Sequence, residues 1–302
     1  MTYHVPVLLA PLMAAIGRPA RAVDATLGDG GHAAAFLEAG AEVLGIDRDP
    51  DAIAVARERL RTTRIRYLEA TYSSAAALEA VAHFSPDVVL LDLGVSSRQL
   101  DQDARGFSFR PGAPLDMRMG AAEGTTAAEW LNAEPEAVLT SAFREYGDEP
   151  RAGRLAREIV RRRARARFGS SDDLVNAIRA AFGPQTGPPE FARLFQAVRI
   201  AVNDELAGLE KALPAFRDAL VHNGQLAVIS YHSGEDRLVK HAFQQWSRRC
   251  ICPPGHPVCT CRGRALGRPE PRKPIVPDET EIQANPRARS AKLRIFRVEH
   301  AV

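Results

Sequence analysis

The first hundred residues alternate short apolar runs with stretches whose apolar positions recur every three or four residues. The runs are residues 22–25, 42–46, 65–68 and 88–91; between them lie 33–39, 50–61 and 73–82. Unbroken apolar runs are the signature of strands covered on both faces, and strands spaced by helices predict βαβ units in a mostly parallel sheet. Pro50 falls at a first helical turn, with Asp49 as its expected cap. After Val95 the alternation stops. A Gly- and Pro-containing loop, 106–114, leads into helical patterns at 126–131, 135–145, 153–165 and 172–182. The Gly-Pro stretch 183–189 precedes a long helical pattern from Phe191 to about Leu220, and 225–230 again reads as buried strand. An amphipathic run at 292–298 predicts a last strand. The expected fold is α/β, a doubly wound, mostly parallel sheet with an inserted helical domain. Its first part is 1–104, the insertion 105–190 and its second part 191–302.

Composition agrees with a packed protein. Of 302 residues, 45% are hydrophobic and 25% charged, which excludes disordered and collagen-like classes. The apolar stretch 5–13 is broken by Pro6 and Pro11 and has no cationic leader, so neither a signal peptide nor a membrane span is expected, and a cytoplasmic protein is. The net charge of +3 is spread unevenly: residues 144–167 hold nine Arg against four acidic residues, and 262–297 hold ten Lys or Arg against four. Arg pairs phosphate bidentately and stacks on bases, so these segments suit a nucleic-acid partner, solvated helix faces being the plainer alternative. Arg161, Arg162, Arg163, Arg287 and Arg289 are the candidate RNA contacts.

The densest chemistry lies in Asp24-Ala-Thr-Leu-Gly28-Asp-Gly30-Gly31-His32, a glycine turn after a strand and before a helix. Such a turn lets a ligand approach the backbone, and the helix start offers free N–H groups. Asp47, nineteen residues after Gly28 at the end of the next strand, is placed to accept ribose hydroxyls. Gly28-x-Gly30-x-x-Ala33 also fits a dinucleotide fingerprint, which would make the protein a nicotinamide-dependent oxidoreductase. Asp24 separates the two: a carboxylate there would repel a pyrophosphate and attract the ammonium of S-adenosylmethionine. Tyr72 after the third strand, Asp92 at the end of the fourth and Gln99 beyond it extend the candidate pocket.

All four cysteines fall in Cys250-x-Cys252-x6-Cys259-x-Cys261. Four thiols suffice for a structural zinc site, although C-x-C is tighter than the usual spacing and reduced thiols are the alternative.

The chain resembles the MraW (RsmH) family of bacterial rRNA methyltransferases along essentially its whole length. The resemblance rests on His4-Val-Pro-Val-Leu-Leu, Gly28-Asp-Gly-Gly-His32, Asp47-Arg-Asp-Pro-Asp-Ala-Ile53, Leu91-Asp-Leu-Gly-Val-Ser-Ser97, Arg105-Gly-Phe-Ser-Phe109, Pro114-Leu-Asp-Met-Arg-Met119, Phe195-Gln-Ala-Val-Arg-Ile200, Ser230-Tyr-His-Ser233 and Asn285-Pro-Arg-Ala-Arg-Ser290. It implies a class I methyltransferase fold and S-adenosylmethionine-dependent methylation of cytidine N4 in the decoding region of 16S rRNA. The small ribosomal subunit would be the partner, with no membrane or DNA, and the protein a monomer or homodimer. It also implies cofactor contacts from Gly30, Gly31, His32, Asp47, Tyr72, Asp92 and Gln99.

Amino-methyltransferases commonly carry an Asp/Asn/Ser-Pro-Pro-aromatic turn after the fourth strand; here it reads Asp92-Leu-Gly-Val. Phe107 and Phe109 are therefore candidates for the base-clamping ring. Asp92 is the first candidate to accept an N4 proton, and His232, after the fifth strand, the second. The remaining rival is a non-catalytic RNA-binding protein with a vestigial nucleoside pocket.

Overall fold

A computed structural model describes residues 5–120, 124–253, 258 and 260–300, and divides the chain into two compact units. The first, residues 1–94 and 206–302, is the sheet unit. Its strands are β1 (Arg21–Asp24), β2 (Glu42–Asp47), β3 (Ile65–Glu69), β4 (Val88–Asp92), β5 (Gln225–Ser230), β6 (Gly267–Pro269) and β7 (Lys292–Val298). They lie in the order β3-β2-β1-β4-β5-β7-β6. The first five are parallel, and β7 runs antiparallel between β5 and β6. This is the Rossmann-like methyltransferase arrangement. Every residue of β5 is buried, as a strand covered on both faces requires.

Helix α1 (Leu9–Ile16) precedes β1, and α2 (Gly31–Glu38), α3 (Pro50–Leu60) and α4 (Ala75–Phe84) connect the early strands. Asp49 caps α3 as expected, its Oδ1 accepting the Asp51 N–H at 3.1 Å, with Pro50 at the first helical position. Helix α1 is absent from the sequence-based expectation because Pro11 interrupts its apolar pattern. Its start is held from far away: Glu281 Oε1 accepts the Leu8 N–H at 2.6 Å, across 273 residues.

The second unit, residues 95–205, begins and ends outside the expected insertion of 105–190. It contains α5 (Ser97–Asp101), α6 (Ala127–Ala133), α7 (Glu136–Glu145), α8 (Ala152–Arg163), α9 (Ser171–Phe182) and α10 (Pro188–Asn203). The apolar faces of α6 to α10 share one core that includes Leu131, Leu139, Phe143, Leu155, Ile178 and Leu194. The segment Pro114–Met119 crosses this unit with Met117 buried at φ 60°, a left-handed conformation unfavourable for a side chain of that size. Asn203 holds it from both sides, accepting the Met119 N–H and donating to the Met117 carbonyl, each at 2.8 Å.

The long helical pattern after Phe191 is in fact two helices. Asp204 adopts φ 52° and ends α10, and α11 (Glu205–Ala219) follows. A short polar side chain tolerates that backbone, which periodicity does not register. The sheet unit closes with α12 (Ser233–Ser247), also unforeseen, and α13 (Glu279–Ala284).

Candidate active site

The carboxyl ends of the parallel strands carry the predicted acidic residues together. Asp24, the last residue of β1, is 1% exposed. Its Oδ1 receives the Thr26 N–H at 3.4 Å, and its Oδ2 has no hydrogen-bond partner among the described residues. Burial lifts its pKa to about 6; neighbouring His32 lowers it, and the Asp92 charge adds to the rise. An ionised carboxylate with an orphan oxygen in so dry a place is costly, and a cationic group brought to it would lower that cost.

The glycine turn is pinned to β2. Leu27 N–H donates to the Ile46 carbonyl and Gly30 N–H to that of Leu27, both at 2.9 Å, while Asp47 Oδ2 accepts the Gly28 N–H at 2.8 Å. Gly28 and Gly30 adopt φ of 52° and 76°, a region costly for other residues. Space beside Gly28 is open, leaving its backbone accessible. Gly31 differs: a Cβ there would meet Pro6 Cγ at 2.4 Å, so its missing side chain makes room for the N-terminal segment rather than for a ligand. Asp47 Oδ1 also accepts the Asp49 N–H at 2.9 Å, and burial raises the pKa of its carboxyl. Each carboxylate oxygen keeps a second lone pair for a sugar hydroxyl. Tyr72 lies half-buried against the sheet core.

Asp92 ends β4 beside β5, its backbone N–H donating to the Thr26 hydroxyl at 2.7 Å. Thr26 therefore ties the end of β1 to β4. The Asp92 side chain remains 23% exposed and its Oδ2 lies 3.7 Å from His32 Nδ1. His32 Nε2 is 3.1 Å from the Val7 carbonyl and so carries the proton that donates to it, leaving Nδ1 to face the acid. The Tyr231 hydroxyl donates to Asp92 Oδ1 at 2.9 Å. Burial pushes the Asp92 pKa up to about 7, Tyr231 restrains that rise, and the charge of Glu235 adds to it. Burial and the Asp92 charge push the Tyr231 phenol upward, so it stays protonated and donating.

His232 stands at the start of α12 as its cap, Nδ1 accepting the Glu235 N–H at 3.4 Å, and Glu235 Oε2 returns the bond by accepting the Tyr231 N–H at 2.9 Å. His232 Nε2 is 3.2 Å from Glu235 Oε1 without hydrogen-bonding geometry. The pair thus fixes the backbone that aims Tyr231 at Asp92. Within the Ser230–Ser233 segment the sequence gives no sign that Tyr231 is the residue reaching Asp92, because the contact spans 139 residues.

The other predicted residues lie elsewhere. Gln99 belongs to the helical unit, where its Oε1 accepts the Ser96 N–H at 3.0 Å and its Nε2 donates to the Met119 carbonyl at 3.2 Å. Each end of the amide thereby makes one hydrogen bond inside that unit and keeps a second lone pair or N–H. Phe109 stacks edge-on against Phe191 and Phe195, each with centroids 6.0 Å away, and Phe107 packs on the same core, both rings staying partly buried. Arg161 and Arg162 share Glu158, whose pKa they lower to about 2, and line a 310 Å³ cleft with Arg165 and Phe168. Arg163 is different: it donates to the Leu131 and Glu134 carbonyls at 2.8 and 2.7 Å, joining α8 to the end of α6. Arg287 and Arg289 are exposed on either side of buried Ala288. Cys250, Cys252 and Cys261 gather in one cluster, while Cys259 lies outside the described residues, as does His4. No described helix is long and apolar enough to cross a membrane.

The MraW methylase family model matches residues 1–299. A ribosomal RNA small subunit methyltransferase H from Gemmatimonas aurantiaca is 59% identical, the match covering 98% of this chain and 95% of that protein. Proteins of the same name from Heliobacterium modesticaldum and Rubrobacter xylanophilus are each 44% identical, covering 97% of this chain and 97% and 95% of theirs.

Proposed function

The chain belongs to the MraW methylase family, and from that premise we propose that it methylates the exocyclic N4 of a cytidine in the decoding region of 16S rRNA, using S-adenosylmethionine. The observation that carries this reading is Asp24, a buried carboxylate whose Oδ2 finds no partner among the described residues. A nicotinamide dinucleotide would bring pyrophosphate charge to this acidic edge, whereas the cationic tail of S-adenosylmethionine complements it. The oxidoreductase alternative therefore has neither the family nor the electrostatics behind it, and the intact acid trio speaks against a vestigial pocket.

When bound, S-adenosylmethionine supplies an electrophilic methyl group. Asp24 would hold its ammonium, Asp47 its ribose hydroxyls and the Tyr72 ring its adenine, with Gly28 leaving the backbone open to approach. Cytosine N4 is a poor nucleophile because its lone pair is delocalised into the ring, so the protein must orient it and accept a proton as it reacts. Asp92 is the acceptor: a carboxyl titrating at about 7 is matched to proton uptake near neutral pH. Its Oδ1 is held by Tyr231, which leaves Oδ2 for the N4 proton. His232 acts through the α12 cap as a positioning residue. Arg161, Arg162 and the exposed Arg287 and Arg289 supply cations for RNA phosphates. A ribosomal substrate makes the cytoplasm the site of action.

The test is transfer of a labelled methyl group to small subunits lacking the modification, followed by nucleoside analysis, with Asp92→Asn alongside. We expect N4-methylcytidine from the wild type and, for the variant, a single-turnover rate lower by about 10²–10⁴-fold with S-adenosylhomocysteine affinity changed less than about tenfold. Methylation at another atom would overturn the substrate assignment; an unimpaired Asp92→Asn would overturn the role of Asp92.

A further inference from the structure

The cysteine-bearing loop takes no part in the site above. Cys250, Cys252 and Cys261 form no disulfide, and their Sγ atoms lie within 4.8 Å of one another. We propose that these three thiolates bind one Zn²⁺, which staples the loop between α12 and β6 and serves structure rather than catalysis. In tetrahedral zinc-thiolate sites, Zn–S bonds of about 2.3 Å put sulfur atoms about 3.8 Å apart, so the trio is near its liganding geometry before any metal enters. Soft thiolates also favour zinc over the hard cations Mg²⁺ and Ca²⁺.

Two further observations support the site. Backbone N–H groups point at the sulfurs: Ile251 N–H donates to Cys261 Sγ at 3.3 Å, and the Thr260 and Cys261 N–H groups to Cys252. Donors aimed at ligand atoms orient them and stabilise the thiolate form. Of the described loop residues, Ile251 and Val258 are 45% and 67% exposed, so their burial does not hold the loop. Arg262 ties one end to α12, donating to the Gln245, Trp246 and Arg248 carbonyls at 2.6, 3.1 and 2.9 Å. Segments too small to bury a core are the ones metals hold together.

The position explains the structural assignment. Helix α12 starts at Ser233, next to Tyr231 and its partner Asp92, and ends at Ser247, three residues before Cys250. At 1.5 Å per residue its 15 residues span about 22 Å. The trio therefore sits at the opposite end of the helix from the acidic cluster.

The experiment is elemental analysis of the full chain, purified without chelators or a metal-affinity tag. We expect about one zinc per wild-type chain and below about 0.2 in Cys252→Ser and Cys261→Ser. Chelation should lower the melting temperature of the wild type but not of Cys252→Ser, with S-adenosylhomocysteine affinity unchanged in both. Should the variants fail to fold, Co²⁺ replacement in the wild type is the second measurement, expected to show thiolate-to-cobalt charge transfer and the intense visible bands of tetrahedral coordination. Wild-type protein without stoichiometric metal and without those bands, or with any pair of the three in a disulfide, overturns the site. Loss of cofactor affinity on chelation overturns its purely structural role.

Discussion

Replacing Asp24 by Asn keeps the shape of the side chain and removes the charge, and the structure predicts opposite effects on binding and on stability. In the free protein the carboxyl has a pKa near 6 instead of 3.8. Holding it ionised at pH 8 therefore costs about 3 kcal/mol of folding free energy, at 1.36 kcal/mol per pH unit. The sign follows from the raised folded value: this group's favourable contribution is complete below pH 3.8, falls as pH rises through about 6, and is gone above it. Asp24→Asn removes that penalty, so at pH 8 the free variant should be more stable than the wild type by up to about 3 kcal/mol, with the gap vanishing near pH 4. Binding goes the other way. The orphan Oδ2 offers a charge-assisted hydrogen bond to an ammonium, and losing one member of a buried charged pair costs about 2–4 kcal/mol, roughly 30- to 900-fold in Kd. Calorimetric titration with S-adenosylhomocysteine at several pH values, beside urea unfolding of the free proteins, measures both. Wild-type affinity should weaken below about pH 6 as Asp24 protonates, and the variant should lose that dependence. A variant that binds within threefold of the wild type at pH 8 would refute the assignment of Asp24 to the ammonium.

Tyr231→Phe removes the hydrogen bond that restrains the Asp92 pKa, so the acid limb of the single-turnover rate should move to higher pH by about one to two units; an unmoved limb would detach Tyr231 from the reaction. Asn203→Ala strands the buried Met119 N–H and Met117 carbonyl, with an expected loss of about 2–4 kcal/mol in urea unfolding, and a loss under about 1 kcal/mol would show that the left-handed Met117 does not depend on Asn203. The double change Arg161→Glu and Arg162→Glu should weaken rRNA binding and flatten its salt dependence by about two in the log-log slope, whereas Arg163→Ala should chiefly destabilise the helical unit. Equal salt slopes for wild type and double variant would remove α8 from the RNA-binding surface.

Much of the molecule is legible from the chain because its signals are local. Strands buried on both faces read as unbroken apolar runs, and a parallel sheet delivers their carboxyl ends to one edge, so Asp24, Asp47 and Asp92 could be placed together before any coordinate was known. The Asp49 cap and the Gly30–Leu27 bond that closes the glycine turn are equally local, since each joins residues two or three positions apart. What only tertiary structure decided is how each group is used, because partners far apart in sequence meet through strand order and packing. Pairing β4 with β5 brings Tyr231 to Asp92 and makes the acid's pKa a property of the fold. Pro6 turns Gly31 into a packing residue, the Leu131 and Glu134 carbonyls claim Arg163, and the Met119 carbonyl claims one end of Gln99. Residue type and spacing specify which chemistry a side chain can perform; burial and long-range contacts determine which of its donors and acceptors remain available to perform it.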